Sequence, residues 1–231
     1  MIYQNVEHIR ERTRIACLKA GRDPAAVTLL AVSKTFPATA VKEAVDAGVL
    51  DIGENYVQEM LKKREDLQDL SIRWHFIGHL QSNKVKYLSD WVFLIHAVDN
   101  ATLAGEINKR GVQFGRFVDI LVEVNTTDES SKFGVHPQET VEFIQSLSSL
   151  DHIKIKGLMT IGPFLPDPEG SRPMFRQLRM LKEEISLLNL PNVEMEHLSM
   201  GMTGDFEVAI DEGATIIRIG TAIFGSRTKK T

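Results

Sequence analysis

The residue in this chain best placed for covalent chemistry is a lysine that follows directly on an apolar run. Leu29-Leu30-Ala31-Val32 leads into Ser33-Lys34, which sets an amine where a buried strand opens to solvent. Partial desolvation there disfavours the ammonium form and leaves a neutral nitrogen able to attack a carbonyl, as a Schiff base requires. The plain alternative is a solvated lysine at a strand end, so other residues have to decide.

Two turns supply a second kind of chemistry. Ser199-Met200-Gly201-Met202-Thr203-Gly204-Asp205 places small residues and hydroxyls before a helix, whose first N–H groups lack intrahelical acceptors and suit an anion. Gly220-Thr221 repeats the pattern after the next strand, and such a pair of turns fits a phosphate. Arg218 lies between Ile217 and Ile219. Inside a strand its charge needs either a carboxylate such as Glu123 or Glu196, or a ligand ring or carboxylate to face. Asn55 either caps the following helix or offers its amide to a ligand oxygen. His79 is either a ligand contact or acid–base group, or a surface loop residue.

Other chemistries lack their residues. The 7 histidines show no HxxxH pair beside a helical carboxylate, and Cys17 is the single cysteine, so no metal site is expected. Serine-hydrolase, P-loop and dinucleotide-binding motifs are missing as well.

The elements that must position these residues alternate along the chain. After an amphipathic helix over residues 2–20, strands are predicted at 27–33, 50–53, 73–78, 92–97, 117–124, 153–159, 193–198 and 215–219. Helices between them are predicted at 37–47, 56–67, 84–88, 101–110, 137–147, 173–188 and 203–211. Alternation without a hairpin signal predicts a single (β/α)8 barrel domain over residues 1–231, with the N-terminal helix extra; an open doubly wound sheet is the rival. In such a barrel Lys34, Asn55, His79 and the two small-residue turns all fall at the C-terminal ends of strands, where active sites form. The segments 125–136 and 162–170 are placed to gate that face. Lys132, in the first of them, either meets an anion or stays in water.

A net charge of -4, from 27 basic and 31 acidic side chains, offers no footprint for nucleic acid or an anionic membrane. One cysteine cannot form an internal disulfide, and no stretch reads as a signal peptide or membrane span, so a cytoplasmic protein is expected. Cys17 is read as helix packing.

Five separated stretches, in order, match a known pattern: Ala31-Val32-Ser33-Lys34, Ile52 to Glu59 (IGENYVQE), Trp74 to Lys84 (WHFIGHLQSNK), Leu198 to Met202 (LSMGM) and Arg218 to Gly225 (RIGTAIFG). From about Val27 to Arg227 the chain resembles the pyridoxal phosphate homeostasis protein family, also called the YggS/PROSC family. The resemblance implies the barrel of the alanine racemase N-terminal domain and pyridoxal 5′-phosphate (PLP) held as an aldimine on Lys34. It implies phosphate contacts among Ser199, Gly201, Thr203, Gly220 and Thr221, with Arg218 facing the pyridine nitrogen and Asn55 the phenolic oxygen side. Where many relatives have serine after the Met-Gly-Met run, this chain has Thr203, which keeps the hydroxyl.

The function so implied is intracellular PLP (vitamin B6) homeostasis, with PLP-dependent apo-enzymes as possible recipients. An arginine opposite the ring nitrogen disfavours the pyridinium that makes the cofactor a good electron sink, so robust catalysis is not expected. Nor does the chain have room for the β-rich second domain of alanine racemases, and a monomer is expected. The alternatives are a weakly active amino-acid racemase of the same fold type, or an aldolase-like barrel using Lys34 on a phosphorylated sugar.

Overall fold

A computed structural model of the chain describes residues 1–127, 133–163 and 165–226. Among the described residues eight strands are present: β1 (Thr28–Val32), β2 (Asp51–Glu54), β3 (Arg73–Phe76), β4 (Leu94–Val98), β5 (Val118–Glu123), β6 (Ile153–Met159), β7 (Val193–Ser199) and β8 (Ile216–Ile219). The helices are α1 (Ile2–Lys19), α2 (Ala38–Asp46), α3 (Val57–Asp66), α4 (Ala101–Phe114), α5 (Thr140–Leu147), α6 (Arg172–Leu187), α7 (Phe206–Asp211) and α8 (Thr221–Phe224). The strands pair in sequence order and β1 closes on β8 in parallel register, Leu30 lying opposite Arg218. Closure rules out the doubly wound sheet.

Strands β2, β4 and β8 are buried throughout, β7 only at its C-terminal end, and the two faces of the sheet carry different cores. Toward the helices lies the main apolar core, which includes Ile9, Val41, Ile52, Phe76, Ile95, Phe175 and Phe206. A separate small cluster of Leu30, Val32, Ile77, Leu94, Ala97, Leu121, Met159 and Ile216 fills part of the barrel interior. Burying one such leucine or isoleucine contributes about 2 kcal/mol. The rest of the interior is polar, as described below. Helix α1 packs on α2, α7 and α8, and so covers the flank where the short α8 leaves the barrel thinly clad.

Most boundaries shift by one to three residues from the sequence reading, and three differences have a local reason or change the kind of helix. Helix α4 runs past Gly111 to Phe114 and stops at Gly115, whose φ of 62° suits a left-handed cap. The helix expected from Thr203 begins only at Phe206. Gly201 at φ 89° and the Met202 N–H donating to Asp205 Oδ1 (2.7 Å) hold the preceding residues as a turn. Residues Ser82–Tyr87 form a 3-10 helix instead of an α-helical turn.

Candidate functional site

Lys34 stands two residues beyond β1, half-buried, between neighbours that are both fixed. Ser33 Oγ donates to Glu54 Oε1 at the end of β2. Lys63 Nζ, from α3, donates to Ser33 O (2.7 Å), to Glu54 Oε1 and to Glu59 Oε1 (2.7 Å). On the other side the Thr35 N–H donates to Glu59 Oε1 at 2.6 Å. Thr35 has a φ of 71°, which costs a β-branched residue about 1–2 kcal/mol. A Glu54–Lys63–Glu59 cluster, buried at Glu54 and Lys63 and half-buried at Glu59, thus clamps the backbone on either side of the amine. Burial pushes the Glu54 carboxyl up in pKa against the opposing pull of Lys63 and Ser33, and among the described residues its Oε2 has no hydrogen-bond partner.

Asn55 follows β2 and does not cap α3, whose N-cap is Tyr56 without a side-chain bond. Its Oδ1 is buried and has no partner among the described residues, a state that calls for a donor. Beside it a pocket of ≈ 270 Å³ is lined by Gln58, Phe76, His79, Gln81 and Lys84, among others. His79 is exposed and stacks on Phe133, ring centroids 4.1 Å apart, which joins the loop after β3 to the loop after β5. Lys132 lies outside the described residues.

Arg218, in β8, is buried and turned into the barrel. Its NH1 donates to Ser199 Oγ and its NH2 to Thr160 O, both at 2.8 Å. Of the two carboxylates considered for it, Glu196 points outward to Lys156 (2.8 Å), while Glu123 is buried and close enough to act on its charge without a hydrogen bond. Burial lowers the Arg218 pKa to about 10, with Glu123 and Asp205 opposing, so the guanidinium stays charged at neutral pH. A guanidinium has five N–H donors, and those not bonded to Ser199 or Thr160 have no acceptor among the described residues.

The turns after β7 and β8 meet, Thr221 Oγ1 donating to Thr203 Oγ1 at 3.3 Å. The backbone N–H groups of Thr203, Gly204, Thr221 and Ala222 make no hydrogen bond among the described residues. Gly201 is required as well as permitted: a Cβ there would lie 2.5 Å from Ala209 Cβ. Gly220 precedes α8, and Phe36 stacks on Phe224 at 5.2 Å, tying the loop that carries Lys34 to the same corner. Ser199 departs from this group. Its hydroxyl is turned inward, between Arg218 and His96 Nδ1 (3.0 Å), and is fully buried.

Asp51, His75, His96, Thr160 and the Glu54–Glu59–Lys63 cluster were not singled out in the sequence. Their signal was the break that His96 makes in the apolar run of β4, and the polar residues Asp51 and His75 inside short strands. Among the described residues no group of histidine, cysteine or carboxylate side chains could hold a metal ion.

A sequence profile of the alanine racemase N-terminal domain matches residues 4–228. The pyridoxal phosphate homeostasis protein of Aquifex aeolicus is 48% identical over 97% of either chain. This chain belongs to the pyridoxal phosphate homeostasis protein family. The homeostasis protein of Escherichia coli is 37% identical over 98% of this chain and 97% of its own. PipY of Synechococcus elongatus, solved with PLP bound, superposes with a TM-score of 0.85 at 33% identity, covering 97% of this chain and all (100%) of PipY. An alanine racemase of Clostridium difficile 630 shares the fold at a TM-score of 0.71 and 13% identity; the match covers 96% of this homeostasis-family chain and 57% of the racemase.

Proposed function

We propose that the chain binds PLP at the C-terminal face of the barrel, covalently through Lys34, and so keeps the reactive aldehyde in reserve for apo-enzymes. One observation carries the reading: a clamped, half-buried lysine and a buried arginine with unused donors occupy adjacent strands beside two touching turns with unbonded N–H groups. The name of the Aquifex aeolicus relative and the PLP bound to PipY support it. The residues fit the cofactor, for the orphaned Asn55 Oδ1 and the donors of Arg218 are polar groups in want of a ligand.

In this reading Lys34 Nζ forms the covalent bond. The N–H groups of Thr203, Gly204, Thr221 and Ala222, with the two threonine hydroxyls, hold the phosphate dianion, and Gly201 and Gly220 let the backbone approach it. Arg218 donates to the ring nitrogen, and Asn55 turns its amide toward the phenolic oxygen. When bound, PLP supplies an electrophilic carbon and, if its ring nitrogen is protonated, an electron sink. A charged arginine holds that nitrogen unprotonated, which favours storage over carbanion chemistry.

Borohydride reduction of the PLP-loaded protein, followed by peptide mapping, tests the assignment. The modification should fall on Lys34, and Lys34→Ala should lose the visible absorbance while keeping its circular dichroism. Modification elsewhere, or unchanged absorbance in the variant, would overturn it. Loaded protein given L-alanine in heavy water should exchange no α-hydrogen at enzyme-like rates of ~1 per second; such exchange would favour the racemase alternative.

A further inference from the structure

We propose that Asp51, His75, His96 and Ser199 form a hydrogen-bonded relay of fixed direction through the barrel interior. Its two histidines are positioning residues for Arg218, each neutral with its proton on Nε2. Strands β4 and β7 are not neighbours, β5 and β6 lying between them, so His96 and Ser199 meet through the barrel interior.

The direction follows from both ends independently. At one end a guanidinium can only donate, so Ser199 Oγ accepts from Arg218 NH1. Among the described residues the buried serine proton has one acceptor left, His96 Nδ1 at 3.0 Å, which therefore presents its lone pair. At the other end Asp51 accepts from Arg73 Nε (2.7 Å) and lies 3.0 Å from His75 Nε2, which must therefore carry a proton. Between the rings one contact remains, His75 Nδ1 to His96 Nε2 at 2.9 Å. With Nδ1 of His96 bare, its proton sits on Nε2 and donates to a bare Nδ1 of His75. Both ends favour the same arrangement: a second proton on His75 would set two N–H donors against each other between the rings, and one on His96 Nδ1 would leave the buried serine proton without an acceptor.

The surroundings agree. Both imidazoles are buried, and burial depresses the pKa of each, that of His96 well below the usual histidine value. The charged and titratable groups facing them are Asp51 and Arg73 at one end, Arg218 at the other and His197 alongside. Asp51 stays ionised because His75 and Arg73 outweigh its own burial. Its charge polarises each link in turn and makes Ser199 Oγ a better acceptor. Arg218 is thereby anchored by the neutral acceptors Ser199 Oγ and Thr160 O, and its other donors stay available to a ligand. A flipped tautomer would make Ser199 Oγ accept from both His96 and Arg218 and leave its own buried proton without an acceptor among the described residues, weakening the anchor on the guanidinium.

Only the last step, toward a bound ring nitrogen, rests on the PLP reading, so the test has two arms. In protein without cofactor, 15N-edited NMR of labelled histidines should find two rings with Nε2–H that do not titrate between about pH 5 and 8. An Nδ1–H tautomer, or titration of either ring in that range, overturns the relay whether or not PLP binds. In loaded protein, His96→Phe and Ser199→Ala should each weaken PLP binding about tenfold, the size expected for one lost charge-assisted hydrogen bond. His96→Gln, whose amide both accepts and donates, should recover most of the loss. Equal loss in the Gln and Phe variants, or no loss in Ser199→Ala, would show that the chain does not position Arg218. Absence of PLP binding by the unaltered protein would instead count against the cofactor reading alone.

Discussion

The lysine side of the site and the arginine side solve opposite problems by opposite means. Around Lys34, charges are buried to hold a backbone: the Glu54–Lys63–Glu59 cluster grips Ser33 and Thr35 and leaves the amine between them. Around Arg218, a buried charge is bonded to neutral groups, a serine hydroxyl and a backbone carbonyl; Glu123 acts on it without a hydrogen bond, and the carboxylate that ends the bonded chain, Asp51, lies three imidazole and hydroxyl links away. An ion cluster fixes position strongly but ties up its charges. A neutral relay fixes position while leaving the cation able to act on a ligand.

The largest expected effect separates the two. Lys63→Met removes the cation from two carboxylates, and breaking a buried pair in this way costs about 3–5 kcal/mol. Urea unfolding near neutral pH should show that loss, and it should shrink in acid, where Glu54, already raised in pKa, takes up a proton. A loss below about 1 kcal/mol would mean that the cluster does not bear on stability, since that is the scale of a surface pair.

On the arginine side the test is the pH dependence of Glu123. Burial first, then Asp99, raises its pKa to about 7 against the pull of Arg218. A carboxyl whose folded pKa is raised binds its proton more tightly in the folded state. Its contribution is therefore present below the unfolded pKa of 4.5 and is lost as pH rises through about 7. The loss is about 3 kcal/mol at pH 8 by the usual conversion of a pKa difference into free energy. Glu123→Gln should flatten the fall in stability between about pH 5 and 8; an unchanged slope would place the titrating group elsewhere, with Glu54 next in line. The two buried histidines act in the opposite sense, since their depressed pKa values withdraw stability as pH falls below the ordinary histidine range.

How much of this the sequence carried depends on how local each feature is. Strand β6 was read to the residue, because its apolar positions, alternating at first and then consecutive, are written in neighbouring residues. Lys34, Thr203 and Thr221 were legible for the same reason, being defined by where a strand stops. Arg218 was seen, but its partners were not. Ser199 Oγ, Thr160 O and the distant Asp51 are set by barrel closure and by which alternate residues face inward across strands β2, β3, β4 and β7. Ser199 shows the limit most clearly: its place beside the glycine turn suggested a phosphate contact, while the facing His96 on a strand over a hundred positions away (|i−j| of 103) turns its hydroxyl inward.

The smallest expected effect probes the strain on the lysine side. Thr35 is exposed and holds a φ of 71° while only its backbone N–H is gripped, by Glu59. Thr35→Gly keeps that N–H and relieves about 1–2 kcal/mol of steric strain, offset by about 0.5–1 kcal/mol from the freer unfolded chain. The net gain of about 0.5–1 kcal/mol should raise the melting temperature by about 1–4 °C. If the clamp sets the loop and the threonine merely endures it, the variant should also attach PLP to Lys34 at an unchanged rate under single-turnover mixing. A slower attachment in a more stable protein would mean that the stiffness of Thr35 itself aims the amine, and the division of labour between cluster and loop would have to be redrawn.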